Sequence, residues 1–146
     1  MKKFLLTLIA IFSLTAIASA RDIYSHDASV LPKAAQSTIN KNFKAKVSVV
    51  KIDKDFGRIS EYEAILTDGT EISFDRHGNW DNIETSASSS VPEALIPAAI
   101  STYVKKNYSG QKIVGIDKER NGYEVELTNG IDLKFNKQGE FLRYDD

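Results

Sequence analysis

The chain has 146 residues, with 19 Lys and Arg against 20 Asp and Glu, and no cysteine. Near-neutral charge excludes the cationic surface that nucleic acid requires, and the missing thiols exclude disulfides, thiol catalysis and acylation at a lipoprotein cysteine. The length suits one domain with a sizeable core.

Residues 1–20 form a secretory signal. Lys2 and Lys3 open it, Phe4 to Phe12 is apolar apart from Thr7, and Ala18-Ser19-Ala20 precedes a cut before Arg21. The apolar run is short for a bilayer anchor, so no membrane insertion is expected after cleavage and the protein should be periplasmic or secreted. Cleavage removes two of the 19 basic residues and no acid, leaving 17 basic and 20 acidic side chains, a net charge of −3.

Residues 21–29 read as a loose leader. A helix follows: Pro32 suits the first turn, and Leu31, Ala34, Ala35, Ile39 and Phe43 share one side at helical spacing. The same pattern returns at an offset of 65 in Ile96, Ala99, Ile100, Val104 and Tyr108, with Pro97 matching Pro32. Ser90 with Glu93 resembles a capping box before Pro97. First strands are expected at Val47 to Asp53 and Ile113 to Asp117, and last strands at Asn79 to Ile83 and Glu140 to Tyr144.

The organising stretch occurs twice, as Tyr62 to Trp80 and Tyr123 to Phe141, with seven of 19 positions identical at an offset of 61. In the first copy Tyr62, Ala64 and Leu66 alternate with Glu63, Ile65 and Thr67, and Thr70, Ile72 and Phe74 form the next apolar set. Paired residues share a face. A two-residue Asp68-Gly69 loop would mix the two sets, whereas Thr67-Asp68-Gly69 pairs Ala64 with Ile72. The same phase argument gives loops Arg76-His77-Gly78, Thr128-Asn129-Gly130 and Lys137-Gln138-Gly139, each ending on a glycine in the left-handed region. The predicted fold class is therefore α+β: a tandem repeat of one helix followed by a four-stranded antiparallel meander, with the helices on one face. The first repeat spans residues 30–84, a small polar linker 85–90, and the second repeat 91–146.

This doubled order of proline, amphipathic helix, tyrosine-led strand, Asp/Asn-Gly turn, strand and glycine turn resembles the exported PepSY-like, beta-lactamase-inhibitor-like family over about Val30 to Tyr144. The resemblance implies a tandem helix-plus-four-strand fold and a binding or inhibitory role, with no catalytic residue to carry over.

The polar residues point the same way. His26 lies in the leader and His77 in a hairpin loop, without a base-orienting arrangement, so no enzyme activity is expected. Asp117, Glu119, Asn121 and Gly122 imitate the start of a calcium loop, but Thr128 stands where the bidentate Glu is needed, so a strand-connecting turn is the better reading and no metal or cofactor is expected. Tyr62, Phe74, Trp80, Tyr123, Phe135 and Phe141 read as core rather than as an aromatic ligand site. The candidate site is the opposite, open sheet face: Glu63, Ile65, Glu71, Ser73 and Asp75 in the first half, Glu124, Glu126, Asp132, Lys134 and Tyr144 in the second. Asp81, Ile83, Asn136 and Leu142 share that phase. Its acidity suits a basic protein or peptide partner. The alternative is a carrier or sensor holding a small ligand between helix and sheet.

Overall fold

In the computed structural model, residues 22–86 and 88–145 are described; the expected signal segment and cleavage site lie outside them. The order is β1 (Ile23–Ser25), α1 (Lys33–Asn42), β2 (Val47–Asp55), β3 (Arg58–Leu66), β4 (Glu71–Asp75), β5 (Trp80–Glu84), α2 (Ala98–Asn107), β6 (Ile113–Glu119), β7 (Gly122–Leu127), β8 (Asp132–Asn136) and β9 (Phe141–Asp145), with 3-10 turns at Ala28–Val30 and Glu93–Leu95.

These strands overturn the expected tandem repeat of a helix and a four-stranded meander. Among the described residues they form one antiparallel sheet of nine, in the order β1 to β9. Two observations make the difference. β5 does not end a unit: it pairs with β6 through Asn82↔Asp117, Ile83↔Ile116 and Glu84↔Gly115. Each strand thereby covers the other's open backbone groups, which a free edge would leave unpaired. The leader is also not loose. Ile23 and Tyr24 pair with Ile52 and Lys51, His26 Nδ1 lies 2.9 Å from the Ser48 carbonyl oxygen, and Asp27 Oδ1 accepts from the Ser29 amide.

The hairpin phases hold. Tyr62 pairs with Phe74 and Ala64 with Ile72, while Tyr123 pairs with Phe135 and Val125 with Leu133. Gly69, Gly78, Gly130 and Gly139 have φ of 86°, 88°, 82° and 80°. Gly78 and Gly139 carry a second constraint, because the first turn of each helix rests on them. A Cβ on Gly78 would lie 2.8 Å from the Pro32 Cβ and 2.9 Å from the Ala35 nitrogen, and one on Gly139 would lie 2.8 Å from the Ala99 Cβ.

Both helices thus cover the face that carries Phe74 and Phe135, which are buried with Leu66, Ile72, Ile83, Ile100, Val125, Leu127 and Leu133. Tyr103 of α2 stacks on Phe141 at 4.8 Å and meets Phe135 edge-on. The aromatic residues are core and core margin. Ser90 makes no side-chain cap; Glu93 instead accepts from Ser101 Oγ and pairs with Lys105.

An acidic sheet face as candidate functional site

Cross-strand pairing sorts the polar side chains into rows on the face away from the helices. One row runs Val49, Ile65, Glu71, Glu84, Gly115, Glu126, Asp132 and Asp145. The next runs Tyr24, Lys51, Glu63, Ser73, Asn82, Asp117, Glu124, Lys134 and Arg143. A third begins Asp53, Glu61 and Asp75. Of the expected site residues, Glu63, Ile65, Glu71, Ser73, Asp75, Glu124, Glu126, Asp132 and Lys134 fall on these rows.

Tyr144 does not. A bulge lies between the pairs Lys134↔Arg143 and Phe135↔Phe141, and it shifts the phase so that Tyr144 pairs with the core residue Leu133. An equivalent bulge in β5 sets Ile83 opposite Ile72, and Ile83 is buried. The extra residue inverts the alternation for the rest of each strand. It also turns Asn82 and Glu84 outward, so Glu84 escapes strict alternation. Asp117, Glu61 and Lys51 were readable from phase but lie outside the repeated stretch or its acidic highlights. Asp117 and Glu119 are strand residues of β6, which removes the calcium-loop imitation.

The two lysines on the face are already engaged. Lys134 Nζ lies 2.7 Å from Glu124 and 3.2 Å from Glu119, and the bond to Glu124, ahead of that to Glu119, raises its pKa against the opposing effect of burial. Lys51 Nζ lies 3.2 Å from Asp53 and 3.6 Å from Asp22. Asp75 is tied into its own turn, accepting from the His77 and Asn79 amides; burial pushes its pKa up, but these bonds outweigh it and hold the carboxyl low. That leaves Glu63, Glu71, Glu84 and Asp117 half-buried at the centre without a salt bridge to any described residue. Burial, then Glu71, Glu126, Glu63 and Asp117, push the Glu84 carboxyl up to about 7. Burial first and a neighbouring carboxylate second also raise Glu63 and Asp117. Among the described residues no three His, Cys, Asp or Glu gather as a metal cage.

A consequence for stability follows. Glu84 takes up its proton at higher pH in the folded chain than unfolded, so the folded state binds more protons between about pH 4.5 and 7. Stability should therefore fall as pH rises through that window. Glu84→Gln should remove part of the slope and stabilise the protein at pH 8 by on the order of 1 kcal/mol after allowing for solvent screening. Denaturant unfolding at pH 5 and pH 8 measures both; a variant with the wild-type slope would contradict the assignment.

The family model described as "Putative beta-lactamase-inhibitor-like, PepSY-like" matches residues 60–143. The chain belongs to this family. Among solved structures, the chain is similar to a "putative periplasmic protein of unknown function" from Bacteroides vulgatus, with 41% identity and a TM-score of 0.79 over 86% of this chain and 99% of that one. It is also similar to a "putative calcium-regulated periplasmic protein" from Bacteroides thetaiotaomicron, with 36% identity and a TM-score of 0.78 over 86% of this chain and 97% of the other. A second B. vulgatus protein, described as a "putative periplasmic protein", has 32% identity and a TM-score of 0.78 over 88% and 99%. No curated protein matches. Among the described residues no helix is long and apolar enough to cross a membrane.

Proposed function

We propose that this PepSY-like protein is an exported, non-catalytic binding module whose open sheet face receives a cationic protein or peptide segment. One observation carries the reading: Glu63, Glu71, Glu84 and Asp117 share the centre of the face without a salt bridge to any described residue, and burial first, then neighbouring carboxylates, raise the pKa of Glu63, Glu84 and Asp117 despite Lys51 opposite Glu63 and Lys134 near Asp117. A lysine or arginine side chain laid across the rows would relieve that repulsion, and the potential would steer its approach. The periplasmic descriptions of the structural relatives support the exported setting.

Binding should then be linked to protonation. A cationic ligand favours ionised Glu84, so affinity should rise from pH 5.5 to pH 8 and binding near pH 7 should release protons. Titration with an oligolysine peptide in two buffers of different ionisation enthalpy measures this. Glu71→Lys with Glu63→Lys should slow association at least tenfold, and added salt should reproduce the loss. Equal association by wild type and the double variant at low salt would reject the face as the binding site. The calcium-regulated description of one relative makes Ca²⁺ the natural competitor: entering among the carboxylates, it should weaken peptide binding more than equal ionic strength of Na⁺.

A further inference from the structure

The sheet has two borders, and among the described residues no strand pairs with the outer side of β1 or of β9. Four of the five large apolar side chains exposed among those residues lie on these two strands: Ile23 and Tyr24 on β1, Leu142 and Tyr144 on β9. The two borders are unequal templates. β1 has three residues and β9 has five. On β9, Leu142 is 60% exposed and Tyr144 58%. An edge that shows apolar side chains beside open backbone groups is ready to add a strand.

The backbone phase of β9 follows from its hairpin. The Asn136 amide donates to the Glu140 carbonyl oxygen, so Asn136 directs its polar groups toward β9. Alternation along β8 gives Lys134 and Asp132 the same direction, and their partners Arg143 and Asp145 bond inward with them. Tyr144 sits between those two and pairs with Leu133. Its N–H and C=O therefore point away from the sheet.

The charges on β9 are poorly placed for a border strand. Lys134 lies directly opposite Arg143, and Asp132 directly opposite Asp145. Like charges facing each other across a ladder destabilise it. Among the described residues Arg143 has a salt bridge only within its own strand, with Nε 3.5 Å from Asp145 Oδ1. A strand laid along the outer side with the opposite order of charge would answer both pairs. It would set an acid beside Arg143 and a base beside Asp145. β9 itself, turned end over end, has that order.

We propose that β9 pairs with β9 of a second copy, antiparallel about a two-fold axis through Tyr144. Tyr144 exchanges its N–H and C=O with the copy's Tyr144, and the two rings lie side by side on the face that carries the helices. Arg143 stands opposite the copy's Asp145, and Asp145 opposite the copy's Arg143. The pair Asp132 and Asp145 then runs on into the copy's Arg143 and Lys134. Moving the axis by one residue sets Arg143 against Arg143 or Asp145 against Asp145, so the charges choose the register. Charges on an edge deter partners that do not match them; a second copy matches them. The contact is isologous and closes at two copies. So short a seam falls at the weak end of interface sizes, with a dissociation constant on the order of 10–100 µM. It does not depend on the proposed peptide site, whose central carboxylates lie on β3 to β6.

The test is sedimentation velocity of the protein purified from the cell envelope, in a series from about 5 to about 500 µM. Wild type should pass from monomer to dimer across the series. Tyr144→Pro should weaken self-association about tenfold, because it removes the outward donor at the axis and no bond of the sheet; an edge strand accepts proline where the nitrogen faces solvent. Arg143→Asp sets acid against acid, and Asp145→Arg sets base against base, so each alone should stay monomeric. An equimolar mixture of these two variants should dimerise, because the acids of one chain then face the bases of the other. The proposal is overturned if wild type is still monomeric at the top of the series, if Tyr144→Pro or either charge variant dimerises as wild type does, or if the mixture associates no better than its components. It is equally overturned if Tyr24→Pro abolishes the dimer while the β9 variants keep it, which places the contact on β1.

Discussion

Gly78→Ala is expected to destabilise the protein by about 2–5 kcal/mol, the sum of left-handed strain and overpacking against a helix terminus. The site combines φ 88° with backbone and side-chain atoms of α1 at 2.8–3.2 Å from the new Cβ. The Ala35 nitrogen belongs to the helix backbone, so relief requires α1 to move off Phe74 and Ile72. Gly139→Ala should behave similarly but less severely, because its closest neighbour is the Ala99 side chain. Gly130 has the same backbone conformation, φ 82°, with nothing within 4 Å of the built Cβ, so Gly130→Ala isolates the strain at roughly 1–2 kcal/mol. Urea unfolding of the three variants gives the ranking. A Gly130→Ala cost equal to that of Gly78→Ala would show that helix contact adds nothing.

The second large effect separates fold from surface. Leu66 and Leu127 are 2% and 1% exposed at equivalent places in β3 and β7, while Glu63 on the same strand as Leu66 faces outward. Leu66→Ala and Leu127→Ala should each cost about 2–5 kcal/mol through lost burial and residual cavity, with capture of a basic peptide unchanged where the variants remain folded. Glu63→Lys should change stability by less than either leucine truncation and change capture instead. Comparable loss of stability from Glu63→Lys would place that side chain in the packing rather than on the open face.

Much of the local structure was legible because each signal acts over a few residues. The alternation of Tyr62, Ala64 and Leu66 against Thr70, Ile72 and Phe74 decided loop length, and the glycine φ values follow from that length. The global arrangement was less legible. Nothing in the phase of Asn79 to Ile83 announces that β5 joins β6 rather than ending a unit, since pairing depends on which edge is left open in space. The β1 strand is three residues long, too short for a period, and is held by pairing with β2. The bulges reversed the phase of Ile83, Glu84 and Tyr144 for the same reason: one added residue leaves composition unchanged but flips every later side chain.

The three residues of β1 also change the parity of the sheet. In a meander of eight strands, β2 to β9, the two outermost strands would run in opposite directions, so a copy shifted sideways would present an antiparallel partner and the ladder could propagate from molecule to molecule as a fibre. With β1 in place the count among the described residues is nine, and the two outermost of these strands run the same way. A shifted copy then offers only a parallel match, three residues long, to a strand carrying Arg143 and Asp145. Parallel pairing is weaker per residue, and short, charged edges resist addition. Loss of β1 would restore the even count and leave two borders that fit each other.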